Sequence, residues 1–392
     1  MAEHEERLEV APLWEKWNGL KAVVFALLPM ECVYLCRSVC KEWNSFLSNE
    51  FITDIWAKSD INKEPWLVFC DMRSACPFMA YCFDREIWKR RVSLSFMTRG
   101  LADVHGSAAG LLLVDTTNER NGAVSGLYVC NPCTQTAIEL PPMESINKVI
   151  AKGIVKGHEK NLSNTYKVVA LGESGVDHDG NGVGRIVEIY DSSTKSWRMA
   201  GHLPRDLTLI KETVFLDDAF YCLTLQHNVR SILCFSITAP DESPFFFEPL
   251  PEILPKLWPH LITCGSRLLV VAGIHVQVEV EGPEDVMSIT IWEFHKGNGV
   301  RVVGPSSSSG WTEIARMPTD KCEEFSKKNS SLLCFQCVGV GDSVCFMSVY
   351  RQVKNVLVYN ISKKSWSWLP NCSAMEVSKC IAFVPRPYMK VD

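Results

Sequence analysis

The sequence predicts a mainly β protein in which a short helical hairpin precedes a β-propeller of roughly six blades. Between residues 17 and 47, apolar residues recur with the period of an amphipathic helix on both sides of Pro29. From residue 65 onward, short apolar runs alternate with turn residues, and one strand–turn pattern recurs six times. We therefore expect an acidic tail over residues 1–13, a helical module with its linker over 14–63, and the propeller over 64–388.

The helical hairpin has more apolar surface than it can bury by itself. One apolar face ends at Pro29 and a second begins directly after it, so this proline is predicted to end one helix and open the next. A unit of about 30 residues buries too little surface to offset its chain entropy. Part of the surface therefore requires a partner. The two faces consist of Val23, Val24, Leu27 and Leu28, and of Val33, Leu35, Cys36, Val39, Cys40 and Trp43.

A motif spans the proline. The pair LP at residues 28–29 is followed by VCKEW at residues 39–43, with Leu47 behind it. This combination resembles the F-box, the helical module that docks on Skp-type adaptors of cullin ubiquitin ligases. The sequence departs from the F-box pattern at its start, where Lys16 and Trp17 stand in place of a first Leu-Pro.

The resemblance implies that an apolar helical face sets into a groove on the adaptor. The same side chains could instead hold the hairpin together, and this alternative applies above all to Val39 and Trp43. The residues that the resemblance assigns to adaptor binding are Leu20, Val24, Leu28, Pro29, Val39, Cys40 and Trp43.

The β region repeats a strand, a polar turn, a large apolar residue and then Leu-Pro or Met-Pro. The clearest copies are residues 187–204 and 357–370. Intervals between equivalent positions run from 46 residues (191 to 237) to 65 residues (295 to 360), which suits the kelch-type blade of about 50 residues with insertions. The equivalent positions are Asp84, Asn131, Asp191, Ile237, His295 and Asn360.

A propeller leaves open strand edges unless its ring closes. Residues 379–384, KCIAFV, read as a strand and are predicted to pair with the first blade. No long amphipathic helix is predicted after residue 65. A helical hairpin followed by such a ring resembles the plant-type F-box/kelch-repeat proteins over nearly the whole chain.

Composition excludes several classes of function. The chain carries 40 basic and 45 acidic residues, a net charge of −5, without the clustered basic residues that nucleic-acid binding requires. The acidic start lacks the features of a signal or transit peptide, and no apolar stretch reaches the length of about 20 residues that spans a bilayer. We expect a protein of the cytoplasm or nucleus, with its 17 cysteines reduced and no membrane partner.

Two stretches of the sequence resemble metal sites in the spacing of their side chains. The letters DHDGNG at residues 177–182, with Glu188, match the spacing of a calcium loop, but strands are predicted on both sides where helices are required. Cys130 and Cys133 form a CxxC pair, and no second pair follows at zinc-binding distance. A blade loop and buried thiols explain these letters better, so no metal or other cofactor is expected.

The sequence contains no nucleophile elbow, HExxH helix, P-loop or Rossmann glycine pattern, and we predict a non-enzyme. The resemblance implies the substrate-recognition subunit of an SCF-type ubiquitin ligase, which binds a Skp-type adaptor, and through it a cullin, by the F-box and an unidentified protein substrate by the propeller. One alternative is a kelch-type scaffold with weakened adaptor binding. Another is a propeller enzyme or glycan-binding protein, which would need clustered metal ligands or paired carboxylates.

Overall fold

The structure is a computed structural model in which residues 20–47, except 26 and 29, and most of residues 65–391 are described. The acidic tail, the linker, Lys16, Trp17 and Pro29 lie outside the described residues. The gaps after residue 65 are 71–77, 93, 95, 98–99, 118–123, 158–164, 176–183, 228, 238–244, 252–258, 277–285, 296–309, 330–334, 349–351, 354, 372–374, 377–378, 387–388 and 390.

Three short helices form the N-terminal module. Helix α1 covers residues 20–25, α2 covers Met30–Val39 and α3 covers Lys41–Leu47. The start of α2 directly after position 29 agrees with the predicted boundary. Their small shared core contains Ala22, Phe25, Val33 and Leu47.

The sequence pattern favours one continuous second helix, but the chain breaks at Cys40 into α2 and α3. Cys40 acts as the cap of α3: its carbonyl accepts the amide of Asn44 at 3.0 Å, and its Sγ accepts the amide of Trp43 at 3.4 Å. The first bond is the regular opening bond of the helix, and the second satisfies the Trp43 amide, which the first turn of a helix leaves free. Apolar periodicity does not reveal such a break, because the face continues across it.

Six four-stranded antiparallel sheets form the propeller. Blade 1 contains β1 (Trp66–Cys70), β2 (Phe78–Cys82) and β3 (Ile87–Val92); blade 2 contains β4 (Gly100–Ala108), β5 (Leu111–Thr117), β6 (Val124–Asn131) and β7 (Thr136–Glu139). Blade 3 contains β8 (Ile146–Lys156), β9 (Tyr166–Ser174), β10 (Gly184–Asp191) and β11 (Ser196–Leu203); blade 4 contains β12 (Thr208–Leu216), β13 (Ala219–Gln226), β14 (Val229–Ser236) and β15 (Phe245–Pro249). Blade 5 contains β16 (His260–Cys264), β17 (Arg267–Val276), β18 (Val286–Phe294) and β19 (Trp311–Arg316); blade 6 contains β20 (Phe335–Val340), β21 (Ser343–Ser348), β23 (Leu357–Asn360) and β24 (Ser365–Trp368), with β22 (Gln352–Val353) and β25 (Met375–Glu376) paired separately. Strand β26 (Lys379–Phe383) completes blade 1.

The ring closes as predicted. Strand β26 pairs antiparallel with β1, from Trp66 opposite Phe383 to Cys70 opposite Lys379. The innermost strands β26, β4, β8, β12, β16 and β20 contact one another in a complete circle. The six repeats are therefore six blades, and each equivalent position lies at the end of a blade's third strand or within two residues of it.

The tryptophan of the repeat links neighbouring blades. In three blades, the indole N–H of a fourth-strand tryptophan donates to a proline carbonyl at the end of the preceding blade. The bonds run from Trp88 to Pro370 (2.6 Å), from Trp197 to Pro141 (2.8 Å) and from Trp311 to Pro249 (2.9 Å).

One helix interrupts the β region and corrects the expectation that this region is all-β. Helix α4 (Thr319–Asn329) follows β19, and its Phe325 is fully buried and stacked on Trp368 with ring centroids 6.2 Å apart. Lys328 Nζ lies 4.0 Å from the centroid of the same indole. Only Cys322 and Phe325 of this helix are buried, and so narrow an apolar stripe gives too weak a period to be recognised in the sequence.

Two contacts tie the ends of the propeller to their surroundings. The side chain of Trp66 packs against the core of the helical module and also against the apolar cluster between blades 1 and 2. After β26, the chain crosses to blade 2, where Asn131 Nδ2 donates to the carbonyls of Arg386 (2.9 Å) and Met389 (2.7 Å). Met389 and Val391 are buried there.

Candidate functional site

Exposed apolar side chains concentrate on the helical module. In the described part of the chain, ten large apolar residues are more than 40% exposed, and six of them lie between residues 20 and 39. Contiguous exposed apolar surface marks an interaction site in soluble proteins. The six are Leu20, Val23, Val24, Leu27, Leu35 and Val39, and we call them the module face.

The residues that the F-box resemblance assigns to adaptor binding divide into two groups. Leu20, Val24 and Val39 are exposed by 56%, 48% and 63% and belong to the module face. Cys40 is exposed and caps α3. Leu28 is partly buried against the core of the module, and Pro29 lies outside the described residues.

Trp43 belongs mainly to the core of the module. Its ring meets that of Phe25 edge-on, with centroids 5.1 Å apart, and the side chain is partly buried. Two polar contacts also hold the helices together: Lys21 Nζ pairs with Glu42 Oε1 at 2.9 Å, and Arg37 Nε donates to Asn44 Oδ1 at 2.9 Å. The structure thus favours the alternative in which Trp43 supports the hairpin.

Three members of the module face were not assigned by the resemblance: Val23, Leu27 and Leu35. The apolar period identifies them as residues of a helical face. It could not show that Ala22 and Phe25 fill the small core and leave Val23 and Leu27 outside. The distinction depends on which side of each helix meets the others.

A second candidate region lies on the propeller axis, where a cavity of about 560 Å³ is lined by all six innermost strands. Such a volume falls within the range of small-molecule sites. Charged side chains in and beside it join neighbouring blades through two sets of contacts, one between blades 2 and 3 and one between blades 4 and 5.

Blades 2 and 3 meet at a buried charged triad. Lys152 Nζ lies 2.7 Å from both carboxylate oxygens of Asp115, and His105 Nε2 lies 2.8 Å from Oδ2 of the same carboxylate. Burial and the Lys152 charge outweigh the contact with Asp115 and lower the pKa of His105 below its ordinary value. Burial opposes the charge of Asp115, but His105 and Lys152 overcome it and lower the pKa of Asp115. The imidazole is therefore the neutral member of the triad near pH 7.

Blades 4 and 5 meet through Glu212 and His260. One carboxylate oxygen of Glu212 lies 2.5 Å from His260 Nδ1, and the other accepts the amide of Leu261 at 2.7 Å. Burial acts against the charged imidazole, but the hydrogen bond and charge of Glu212 outweigh it and raise the pKa of His260. The pKa values of the two cavity histidines are thus shifted in opposite directions.

The structure uses the candidate metal ligands in other ways. Glu188 is fully buried and accepts the amides of Glu144 (3.1 Å) and Ser145 (2.6 Å). Residues 177–182 lie outside the described residues, and the flanking segments are the strands β9 and β10. Cys130 and Cys133 are buried free thiols, and burial raises the pKa of Cys130. Among the described residues, no three His, Cys, Asp or Glu side chains are placed to share a metal.

No helix within the described ranges is sufficiently long and apolar to cross a membrane.

The fold and the two regions can be compared with known proteins. Residues 86–360 match the family model described as the KIB1-4 β-propeller. The chain belongs to this family. The match covers most of the propeller, from the residue before β3 of blade 1 to the end of β23 in blade 6.

Three relatives from Arabidopsis thaliana extend the similarity beyond the propeller. F-box only protein 6 is 22% identical over 96% of this chain and 74% of its own length. Protein UNUSUAL FLORAL ORGANS is 25% identical over 89% of this chain and 76% of its own. A putative F-box/kelch-repeat protein is 26% identical over 69% of this chain and 68% of its own. The chain is thus similar to plant F-box proteins over most of its length, and together with its propeller this similarity indicates a protein-interaction or substrate-receptor role.

Solved structures are more distant. A nidogen/laminin complex covers 83% of this chain and 95% of its own chain at a TM-score of 0.40 and 8% identity. The GH93 α-L-arabinofuranosidase of Fusarium graminearum covers 70% and 80% at a TM-score of 0.38 and 11% identity. Similarity at this level carries no argument about function.

Proposed function

We propose that the chain is the substrate-recognition subunit of an SCF-type ubiquitin ligase. The helical module would bind a Skp-type adaptor, and through it a cullin, while the propeller binds a protein substrate. The receptor performs no bond chemistry; it holds a lysine of the substrate near a conjugating enzyme supplied by other subunits, so that transfer proceeds at high effective concentration. Its expected location is the cytoplasm, the nucleus or both.

The module face is the observation that carries this proposal. Six exposed aliphatic side chains on one small helical unit would destabilise it in water. Covering each of them with a partner contributes about 1.5 kcal/mol or more to the free energy of association. An apolar helical face fits a groove on a partner. Relatives named F-box proteins across 96% and 89% of this chain support an adaptor as that partner.

The test is a calorimetric titration of the full chain with a purified Skp-type adaptor, beside the double variant Val24→Asp/Val39→Asp. Both valines are exposed, so the substitutions should leave the module folded. Two carboxylates placed in an apolar groove should weaken binding by about 100-fold or more, since each 1.4 kcal/mol is a factor of ten.

The matched control is Val229→Asp on β14, where the valine is 53% exposed on the propeller. It should bind the adaptor like the wild type. A wild-type chain that is folded but does not bind would refute the ligase assignment and favour the scaffold alternative. Equal binding by all three proteins would show that the adaptor uses another surface.

A further inference from the structure

A ring of polar residues takes matching positions in the six innermost strands, and five of its six members line the axial cavity. It lies four residues before the end of each innermost strand, or five in β4, where a bulge between Val104 and Gly106 adds one residue. These strands belong to separate sheets and contact one another around the circle, so their matching positions follow one another around the axis. In order around the axis, the ring is Lys379, Asp103, Lys152, Glu212, His260 and Gln336.

Most charges of this ring are neutralised by the protein itself. The charge of Lys152 is neutralised by Asp115, because its Nζ lies 2.7 Å from both carboxylate oxygens. Glu212 and His260 neutralise one another at 2.5 Å. Gln336 carries no charge.

Two charges remain on adjacent strands, Lys379 on β26 and Asp103 on β4. In the described part of the protein, no carboxylate forms an ion pair with Lys379. The Asp103 carboxylate is 46% exposed, and His105 Nδ1 lies 4.0 Å from its Oδ2. The low pKa of His105 keeps that ring neutral near pH 7, so it does not balance Asp103. Both residues line the cavity.

The cavity also has open space beside this pair. Gly106 lines the cavity, and a Cβ built on it would meet no atom within 4 Å. Gly339 differs, because a Cβ there would lie 1.9 Å from the carbonyl oxygen of Thr263. Gly339 allows two innermost strands to approach closely, whereas Gly106 leaves room inside the cavity.

We propose that the axial cavity binds a small zwitterion of the α-amino-acid class, with the ligand carboxylate on Lys379 and its ammonium on Asp103. A neutral molecule would leave both charges unpaired, and an ion of one sign would leave one of them unpaired. A mixed-charge ligand of small size satisfies both and fits about 560 Å³. The site does not depend on adaptor binding.

The experiment screens the full chain against the standard free amino acids by saturation-transfer NMR and titrates each hit by calorimetry. At least one should bind with a Kd below about 1 mM. Asp103→Asn and Lys379→Gln, which keep side-chain size, should each weaken it about tenfold or more. Gly106→Phe should abolish it by filling the open space, and thermal melting will verify that the three variants fold.

The matched control is Lys363→Gln, the same chemical change on the exposed turn after β23, which should leave binding unchanged. Acetate and methylammonium are titrated separately and should bind at least about tenfold more weakly than the amino acid. Absence of any hit, a hit that survives both charge variants, or acetate binding as tightly as the amino acid would each overturn the proposal. Gly106→Phe should still bind the adaptor like the wild type. Titrating this variant with the adaptor therefore distinguishes failure of the amino-acid site from failure of the ligase proposal.

Discussion

The helical module and the propeller differ in how far the chain covers its own apolar residues. The module buries Ala22, Phe25, Val33 and Leu47 and leaves six large aliphatic residues exposed within residues 20–39. The described propeller is about ten times longer and leaves only four: Ile87, Met199, Val229 and Phe246.

The difference follows from topology. In the closed ring, each blade has a neighbour on both sides, and the buried clusters lie between neighbours. The described helices of the module share only one small core, which contains Ala22, Phe25, Val33 and Leu47. The comparison teaches that the propeller closes on itself, whereas the described part of the module keeps apolar surface exposed, as the proposed adaptor contact requires.

The largest expected effect tests how tightly the propeller is packed. Gly339→Ala would bring a Cβ to 1.9 Å from the Thr263 carbonyl oxygen and force β16 and β20 apart. We expect a loss of about 3 kcal/mol or more in the free energy of unfolding, measured by urea denaturation with tryptophan fluorescence. Gly106→Ala, which meets open space, should change it by less than about 0.5 kcal/mol. Similar midpoints for the two variants would contradict the close approach.

The next effect concerns a buried carboxylate inside one blade. Glu188→Ala removes the acceptor of the Glu144 and Ser145 amides and should cost about 1–3 kcal/mol in the same assay. The control is Glu173→Ala on the neighbouring strand, where the side chain is 29% exposed and pairs with Lys148. That change should cost less than about 1 kcal/mol. Equal losses would show that Glu188 is not the essential acceptor.

A smaller effect is pH-dependent and confined to the propeller. Burial opposes the charge of His260, but Glu212 outweighs it and raises the pKa above 6.5. The stability that this pair contributes is therefore full below about pH 6.5 and is lost as the pH rises through the pKa of the folded state. The loss caused by His260→Gln should shrink from pH 5 toward pH 8 in urea unfolding.

His105, in the same cavity, should show the opposite dependence of stability on pH. Its pKa is lowered, so the unfolded chain takes up the proton more readily and the wild type loses stability as the pH falls below about 6.5. The free energy of unfolding of His105→Gln should therefore rise relative to that of the wild type as the pH falls. Parallel slopes for the two variants would show that the assigned environments are wrong.

The smallest effect is expected on the module face. Leu35 is 61% exposed, so Leu35→Ser should change the unfolding free energy of the chain by less than about 0.5 kcal/mol. Val33 on the same helix is 1% exposed, and Val33→Ser should reduce the helical circular-dichroism signal and its melting temperature. If Leu35→Ser unfolds the module, the face is part of a core and not a free surface.

Local signals explain which parts of this fold the sequence predicts. The blades follow from turns and short apolar runs, and the equivalent positions from Asp84 to Asn360 all lie at the end of a third strand or within two residues of it. Helix α4 was missed because only Cys322 and Phe325 anchor it, and the break at Cys40 was missed because a cap interrupts no apolar period. Both depend on single contacts that a pattern does not contain.

The candidate sites were predictable to different degrees. The F-box motif led to Leu20, Val24 and Val39, which are exposed as a binding face requires. The polar ring was not predicted, because Asp103 and Lys379 are far apart in sequence and become neighbours only when β26 closes the circle beside β4. The adaptor assignment itself stays a prediction until the titration is made.

Ring closure by β26 also sets an order of events during synthesis. Strand β1 is made early, yet the strand that covers its inner edge comes only with residues 379–383, after five further blades. Chains emerge and fold from the N-terminus, so the helical module can be complete while blade 1 still has an open edge on the ribosome. A chain cut short before residue 379 would combine a finished helical module with an unclosed propeller. If the module binds an adaptor as proposed, such a chain would occupy adaptors without presenting a properly folded substrate receptor.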